Sequence, residues 1–405
     1  MIQALQNFFH DKKKLIFFYI GLLASFFVIR GFIYLSKSLQ VFEFIFLSIV
    51  IGLLPAFVFR NAFPYKNLIN WLTNAGILGI LFIPFIFLLL GWWNFNILFF
   101  YSLNFLYITA LLCMITLIII MDSEHINKTI NLDNISWVDF LFYGILIIFS
   151  VFLAFQNFSR YYVRWDTFTY WGVDAKYIFD YNKLRNTRFD IFSHFPSYSS
   201  FFTILISLIY DIYGRVVEQF ASFINVYLNF LAIFAIYNTA IKQNPIKKFF
   251  ITTILITISY TADSTAYMFS LYADVFSAFM LIVFTIILTS NYKHNVRTYS
   301  IRFFLLSVIS YIFTLIKPDF IFISIILFFA IVAFDFNLLR NNLKKIIINP
   351  IFLFSIAILI TAMYSHQQYL LINRNNFYAE KPRIIRHFSM FDKTLISYLN
   401  YIKVL

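Results

Sequence analysis

Apolar runs separated by short polar connections recur along the whole of this 405-residue chain. A helix needs about 20 apolar residues to cross ~30 Å of hydrocarbon, and most of the runs have that length. Strands of a membrane barrel would alternate in polarity over roughly 10 residues, and the run at 15–35 shows no such alternation. The pattern therefore predicts an all-α fold, a polytopic transmembrane helical bundle, because helices satisfy their own backbone polar groups in lipid.

We predict about eleven spans from the lengths of these runs. Lys317 and Pro318 alone separate two of them, so an alternative is one long helix kinked at Pro318, which would reverse the side of everything after it. Cationic residues further on favour two spans. The predicted spans lie at 15–35, 41–59, 72–90, 97–121, 138–157, 219–240, 249–263, 272–290, 302–316, 319–336 and 349–371.

The connection 158–218 is the largest polar interruption of the apolar pattern. Within it the sequence predicts two helices, at 165–183 and 195–213, with Gly214 ending the second. We expect both helices to skim the outer membrane surface and to roof a lateral, lipid-accessible cavity. The chain then divides into N-terminal membrane spans at 1–137, a membrane core with this loop at 138–371, and a tail at 372–405.

Few residues are charged, and basic residues outnumber acidic ones: 12% of residues are charged, 61% are hydrophobic, and the formal net charge is +13. Nucleic-acid binding could explain such a charge, but the basic residues are confined to alternate short connections, as the positive-inside rule requires. We therefore predict a multi-pass membrane protein with a cytoplasmic N-terminus, an extracytoplasmic loop, membrane lipids as partners and no nucleic acid. The basic residues concerned are Lys12–Lys14, Arg60, Lys66, Lys242, Lys247, Lys248, Lys293, Arg297, Arg302, Arg340, Lys344 and Lys345.

Four polar positions near the predicted outer boundary carry candidate chemistry. Asp166 fits a general base held in a partly dry aromatic site, and it fits equally a helix N-cap or a partner for Arg164. Asp274, which opens a later span, fits a cavity-facing carboxylate or a cap. His194 and Lys317 fit phosphate ligands; the alternatives are a structural histidine and a snorkelling lysine.

Other kinds of site find no support in the sequence. Cys113 is the only cysteine, which excludes an intrachain disulfide. Phosphate-binding glycine loops and nucleophile elbows are missing. His/Cys clusters with metal-ligand spacing are missing as well, so we predict no cofactor, while a divalent metal ion stays open.

A series of motifs follows in order through residues 138–335. They are Trp165-Asp166 with Tyr170, Trp171, Asp174 and Lys176; His194 with Pro196 and Tyr198; Tyr272-Ala273-Asp274; and Thr314 with Lys317 and Pro318. This order resembles the GT-C superfamily of polyprenyl-phosphate-sugar-dependent glycosyltransferases, and in particular its bacterial branch with a Trp-Asp…Trp pattern. Phe195 interrupts the His-Pro element, and additional spans precede the region of resemblance.

The resemblance implies a GT-C-like membrane core in a bacterial plasma membrane, with an extracytoplasmic active site. The enzyme would transfer a sugar from a polyprenyl-phosphate donor to a glycan, lipid or protein acceptor, with inversion. Asp166 would be the general base, Lys317 and His194 would hold the departing phosphate, and Asp274 would position donor or acceptor. The remaining substrate-binding residues would be Trp165, Tyr170, Trp171, Asp174, Lys176 and Tyr198.

Two other hypotheses stay open. An O-antigen polymerase or ligase would work through outer-loop arginines, of which Arg160, Arg164, Arg185 and Arg188 are candidates. A non-enzymatic lipid or saccharide transporter usually has inverted repeats and charges inside its spans, whereas this sequence shows no repeat and its ionisable residues cluster at the outer surface. Dependence of the activity on Asp166 separates the glycosyltransferase from both.

Overall fold

The computed structural model describes residues 2–35, 40–60, 62–63, 68–92, 102–122, 125–126, 137–158, 171–182, 201–239, 246, 249–250, 253–254, 273–289, 296–316, 326, 329 and 336–361. This part of the chain is helical, with turns and no strand. The all-α prediction is thereby confirmed within these ranges. The tail from residue 372 and the predicted spans at 249–263 and 319–336 lie wholly or mostly outside them.

The helices follow the predicted order along the chain. They are α1 (Ile2–Leu35), α2 (Val41–Val58), α3 (Leu68–Trp92), α4 (Ser102–Ile120), α5 (Trp137–Phe158), α6 (Gly172–Tyr181), α7 (Phe201–Tyr213), α8 (Glu218–Ala221), α9 (Phe223–Thr239), α10 (Ala273–Thr289), α11 (Val296–Ile316) and α12 (Phe336–Ile347). A further helical segment, Pro350–Thr361, follows α12.

Several helices have the length and composition of a membrane span. Within the ranges above there are four, Val41–Val58, Leu68–Leu88, Ser102–Ile120 and Val296–Phe313, and up to five if the bent pair Arg340–Ile347 and Pro350–Thr361 forms one span. Shorter apolar helices accompany them in α5, α7, α9 and α10. The chain thus contains several helices that are long and apolar enough to cross a membrane, as in a membrane-embedded protein. The total of about eleven spans stays a prediction.

Helices α2 and α3 form the tightest helix pair. Gly52 of α2 lies against the backbone of Ala75 and Gly79 in α3, and Gly79 lies against the backbone of Ser48. Small residues four positions apart on both helices allow this close approach, which is a common way for membrane helices to associate.

A smaller apolar cluster joins α5 to α9. The rings of Phe142 and Tyr237 stack with centroids 3.9 Å apart, and Tyr143 stacks on Phe234 at 4.9 Å. The Tyr237 hydroxyl donates a hydrogen bond of 2.6 Å to Asp139 Oδ1, so a carboxylate near the start of α5 is held within this cluster.

One end of the bundle collects cations, and we call it the cationic end. Here the His125 ring meets Phe57 at 5.7 Å, the Phe59 ring stacks on Phe304 at 5.8 Å, and Phe304 stacks on Phe354 at 5.9 Å. The charged side chains described at this end are Lys12, Lys13, Lys14, Arg60, Arg297, Arg302, Arg340, Lys344 and Lys345, with Asp122 and Asp139.

The opposite end, which carries α6 and α7, is richer in carboxylates, and we call it the loop-helix end. It is defined by contacts of α7 with the starts of α2 and α4. The charged side chains described there are Arg30, Lys176 and Arg215, with Glu43, Asp174, Asp180, Asp211 and Glu218.

Helix α12 adds to one expectation. Arg340, Lys344 and Lys345 were expected in a short connection between spans, and the structure shows that this stretch is helical, with a kink at Asn342. The helix axis from Arg340 to Ile347 then turns by 84° into the segment Pro350–Thr361. Hydropathy alone missed this helix because cations and asparagines alternate with its leucines and isoleucines.

Candidate functional site

Helix α7 forms the centre of the loop-helix end. Every residue from Phe201 to Tyr210 is buried, and α7 packs against α2, α3, α4, α6 and α11. It was expected to lie in the membrane interface or to dip into the membrane; in the structure other helices of the protein enclose it. The physical reason is that apolar residues cover most of α7, while its one polar face, formed by Thr203, Ser207 and Asp211, is also turned into the protein, where Asp211 accepts a hydrogen bond from Ser102.

The end of α7 is fixed by Gly214, as predicted. Gly214 has φ +62°, a left-handed conformation that glycine adopts without strain. The N–H of Arg215 donates to the Tyr210 carbonyl at 3.2 Å, which closes a Schellman motif. The Tyr213 hydroxyl accepts a hydrogen bond of 3.2 Å from the Val41 N–H, so the end of α7 is tied to the start of α2.

Helix α6 brings two of the predicted substrate-binding residues into the interior. Trp171, just before the helix, is 2% exposed and meets Phe202 of α7 edge-on, with ring centroids 5.6 Å apart. Asp174, in the first turn, is 1% exposed. A carboxylate at this position is favoured by the positive end of the helix dipole. Lys176 lies on the exposed side of α6.

The start of α10 lies beside the same part of α7. The Phe276 ring is 5.8 Å from Phe201 and 5.7 Å from Phe202, between centroids. Asp274 belongs to the first turn of α10, two positions before Phe276. The contacts of Trp171 and Phe276 with Phe202 therefore join three elements that the sequence had predicted to share a site.

The remaining predicted site residues are not placed by these contacts. Trp165, Asp166, Tyr170, His194, Tyr198 and Lys317 lie outside the described residues, and only the backbone of Asp274 is described. Their assignment to the site stays a prediction.

The structure adds Asp211, which sequence reasoning had passed over. The Ser102 hydroxyl at the start of α4 donates a hydrogen bond of 2.5 Å to Asp211 Oδ2. Burial raises the pKa of Asp211 to about 6, although the Ser102 hydrogen bond opposes the shift. A signal was present in the sequence, because a lone carboxylate within an apolar helix usually has a partner or a function.

Glu218 and Tyr210 form a second polar group that was missed. Burial raises the pKa of Glu218, and the positive charge of Lys176 acts in the opposite direction. The Tyr210 hydroxyl is buried, makes no hydrogen bond within the described part of the chain, and lies close enough to Glu218 for that charge to raise the pKa of the tyrosine further. The pair places two partly or fully desolvated polar groups where α7 meets α8.

Arg30 and Glu43 make an ion pair at the same end of the bundle. Arg30 Nη2 lies 3.0 Å from Glu43 Oε1 and donates a second hydrogen bond of 3.0 Å to the Tyr107 hydroxyl. The Glu43 side chain is 4% exposed, whereas Arg30 is 51% exposed. Both residues fall inside predicted spans, where a charge needs a partner.

These groups can take part in proton transfer and in binding polar ligands. Carboxylates with a raised pKa in a poorly solvated environment accept protons more readily than carboxylates in water. Within the ranges that the structure covers, no three His, Cys, Asp or Glu side chains are grouped closely enough to hold a metal ion.

Comparison with known proteins gives no further guide to this site. No protein-family model, no curated protein and no solved structure matches the chain.

Proposed function

We propose that this chain is an integral-membrane glycosyltransferase of GT-C type. It transfers a sugar from a polyprenyl-phosphate donor to an extracytoplasmic glycan, lipid or protein acceptor. The observation that carries the proposal is the meeting of α6, α7 and the start of α10 through Trp171, Phe202 and Phe276. Helix α6 and the start of α10 carry two of the motifs on which the resemblance rests, the one that includes Trp171 and Asp174 and the one that ends in Asp274. These two motifs are distant in the sequence.

The proposed reaction needs a base and an anchor for the leaving group. Asp166 takes the proton from the acceptor hydroxyl, and the acceptor oxygen attacks the anomeric carbon from the face opposite the phosphate. The bond between the anomeric carbon and the phosphate oxygen breaks, and its electron pair leaves with the polyprenyl phosphate, so the configuration inverts. Lys317 and His194 stabilise that phosphate, and Asp274 positions donor or acceptor.

The surroundings described at the loop-helix end suit this chemistry. Asp174 is buried, and burial raises the pKa of Asp211 and Glu218, so these three carboxyl groups are poorly solvated. Electrostatic interactions are stronger in such an environment than in bulk water. Trp171 is 2% exposed and packed on Phe202, so its part would be to hold α6 against α7 beside the substrate.

The distribution of charge supports an orientation with the loop-helix end outside. Basic side chains collect at the cationic end and carboxylates at the other. By the positive-inside rule the cationic end faces the cytoplasm. The N-terminus is then cytoplasmic, because Lys12–Lys14 belong to the cationic end. Helices α6 and α7, at the opposite end, lie on the extracytoplasmic side of a bacterial plasma membrane.

The test is mass-spectrometric profiling of glycans and lipid-linked oligosaccharides in cells with the wild-type gene, a deletion, or Asp166→Asn. We expect the deletion and Asp166→Asn to lose the same single sugar increment at unchanged protein level. Asp180→Asn is the matched control, because Asp180 is an exposed carboxylate on the neighbouring helix α6. It should keep the increment.

A different outcome would favour another class of protein. If Asp166→Asn kept the full profile while Arg164→Gln lost it, a polymerase or ligase would be the better account. If the deletion changed only the side of the membrane on which an unaltered glycolipid is found, the protein would be a transporter.

A further inference from the structure

Helix α12 exposes cations and apolar side chains together. Ile346 is completely buried and holds the helix against the bundle, where it packs on α11. Leu343 and Ile347 are 52% and 48% exposed. Lys344 and Lys345 are exposed as well. This combination of exposed apolar side chains and lysines on one helix is the one that a membrane surface accommodates.

The bend after α12 indicates how the helix lies relative to the membrane. The segment Pro350–Thr361 packs on α11 through Phe352, whose ring centroid is 4.7 Å from that of Phe303. Its other side exposes Leu353 and Ile360, which are 51% and 60% exposed, as a lipid-facing helix does. The axis of Arg340–Ile347 is turned by 84° from this segment. If the segment runs through the membrane, α12 runs nearly in the membrane plane.

Charge complementarity identifies the lipid. Residues 336–361 contain Arg340, Lys344 and Lys345 and no carboxylate; Asp335, just before α12, is the nearest in sequence. Further cations lie at the same end of the bundle. A basic amphipathic helix at the membrane surface attracts anionic headgroups by about 1 kcal/mol per lysine or arginine.

We propose that α12 is an interfacial helix that binds the headgroups of anionic phospholipids. Leu343 and Ile347 insert at the boundary between headgroups and acyl chains, while Arg340, Lys344 and Lys345 contact lipid phosphates. The site lies at the cationic end of the bundle and is separate from the proposed glycosyltransferase site. It does not depend on that function.

The first test measures binding of phosphatidylglycerol to the full-length protein in detergent, by native mass spectrometry during a lipid titration. Lys344→Gln/Lys345→Gln should weaken binding about fivefold per lysine removed, and raised salt should reduce the difference. The matched control is Lys13→Gln/Lys14→Gln, an adjacent pair of exposed lysines on α1 at the same end. Its binding should fall clearly less than that of the α12 pair, because these lysines contribute to the general attraction of the cationic end but do not contact the bound headgroup.

The second test measures the depth of α12 directly. In a Cys113→Ser background, a spin label at Ile347→Cys is studied in nanodiscs of phosphatidylcholine, with or without phosphatidylglycerol. We expect the label to be accessible to oxygen and shielded from a water-soluble relaxation agent, and phosphatidylglycerol to deepen it.

Three results would overturn the proposal. One is an equal loss of lipid binding in the two lysine pairs, which would assign the attraction to the whole cationic end. Another is a label at 347 that is fully accessible from water in both nanodiscs. The third is spin–spin coupling between two labels, which would show that a second copy of the chain covers α12.

Discussion

The close contact of α2 with α3 predicts a sharp effect of adding one methyl group at Gly52. A Cβ built there would overlap the Ala75 carbonyl oxygen and lie 2.7 Å from both the Ala75 carbonyl carbon and the Gly79 nitrogen. Carbon atoms pack at about 3.5 Å or more, and these neighbours are backbone atoms that cannot rotate away. Gly52→Ala therefore has to push the two helices apart by about 1 Å.

The expected cost follows from two opposing contributions. Overpacking of a tight interface costs about 1–3 kcal/mol, and the overlap with backbone places Gly52→Ala toward the upper part of that range. Replacing a helical glycine by alanine returns up to about 1 kcal/mol through helix propensity. We expect a net loss of about 1–2 kcal/mol in the free energy of unfolding.

The control is Gly144→Ala, because a Cβ at Gly144 has nothing within 4 Å. That variant should be as stable as the wild type or slightly more so. Gly76→Ala should fall between the two, since its Cβ would meet the movable side chains of Leu231 and Tyr227. Thermal unfolding in detergent can be followed with a thiol-reactive dye that labels Cys113, the only cysteine. The reasoning fails if Gly52→Ala melts at the same temperature as Gly144→Ala.

Two further predictions concern the loop-helix end. Burial raises the pKa of Asp211 from 3.8 to about 6, so the folded state holds this proton more tightly than the unfolded state. The free energy of unfolding should therefore fall by roughly 3 kcal/mol as the pH rises from about 4 to 6. A series of melting curves should show this decline for the wild type and not for Asp211→Asn. If the decline were unchanged in the variant, another group would be responsible for it. Arg30→Gln leaves the buried Glu43 without its cation and should cost about 1–2 kcal/mol, less than a fully buried pair because Arg30 is half exposed. The double variant Arg30→Gln/Glu43→Gln should recover part of that loss, and additive losses in the double-mutant cycle would argue against the pair.

The positions of the helices follow closely from the sequence. The run at 41–59 forms the helix Val41–Val58, and the run at 138–157 forms the helix Trp137–Phe158. The end of α7 at Gly214 was also predicted, because glycine takes the left-handed conformation that closes the helix. The position and the end of a helix depend on the length of its apolar run and on the residues at its ends. A short stretch of sequence contains both kinds of information.

Pattern reading was less successful where a helix is not uniformly apolar. Helix α12 was taken as a connection, because its lysines and asparagines lower the hydropathy of the whole segment. The spacing of Leu343, Ile346 and Ile347 could have predicted this helix, because it places the three apolar side chains on one face. Similarly, α1 begins at Ile2, well before the predicted span at residue 15, since a helix can continue into polar residues beyond the apolar run.

The sequence by itself therefore determined the helical class, the membrane setting and most helix boundaries. The tertiary structure alone decided which polar groups meet. Asp211 and Ser102 are 109 positions apart, and Arg30 and Tyr107 are 77 apart, yet each pair is joined by a hydrogen bond. The same holds for the enclosure of α7 and for the contact of Phe276 with Phe202. The physical reason is that hydropathy and helix propensity are properties of a local segment, whereas these contacts depend on how distant helices pack together.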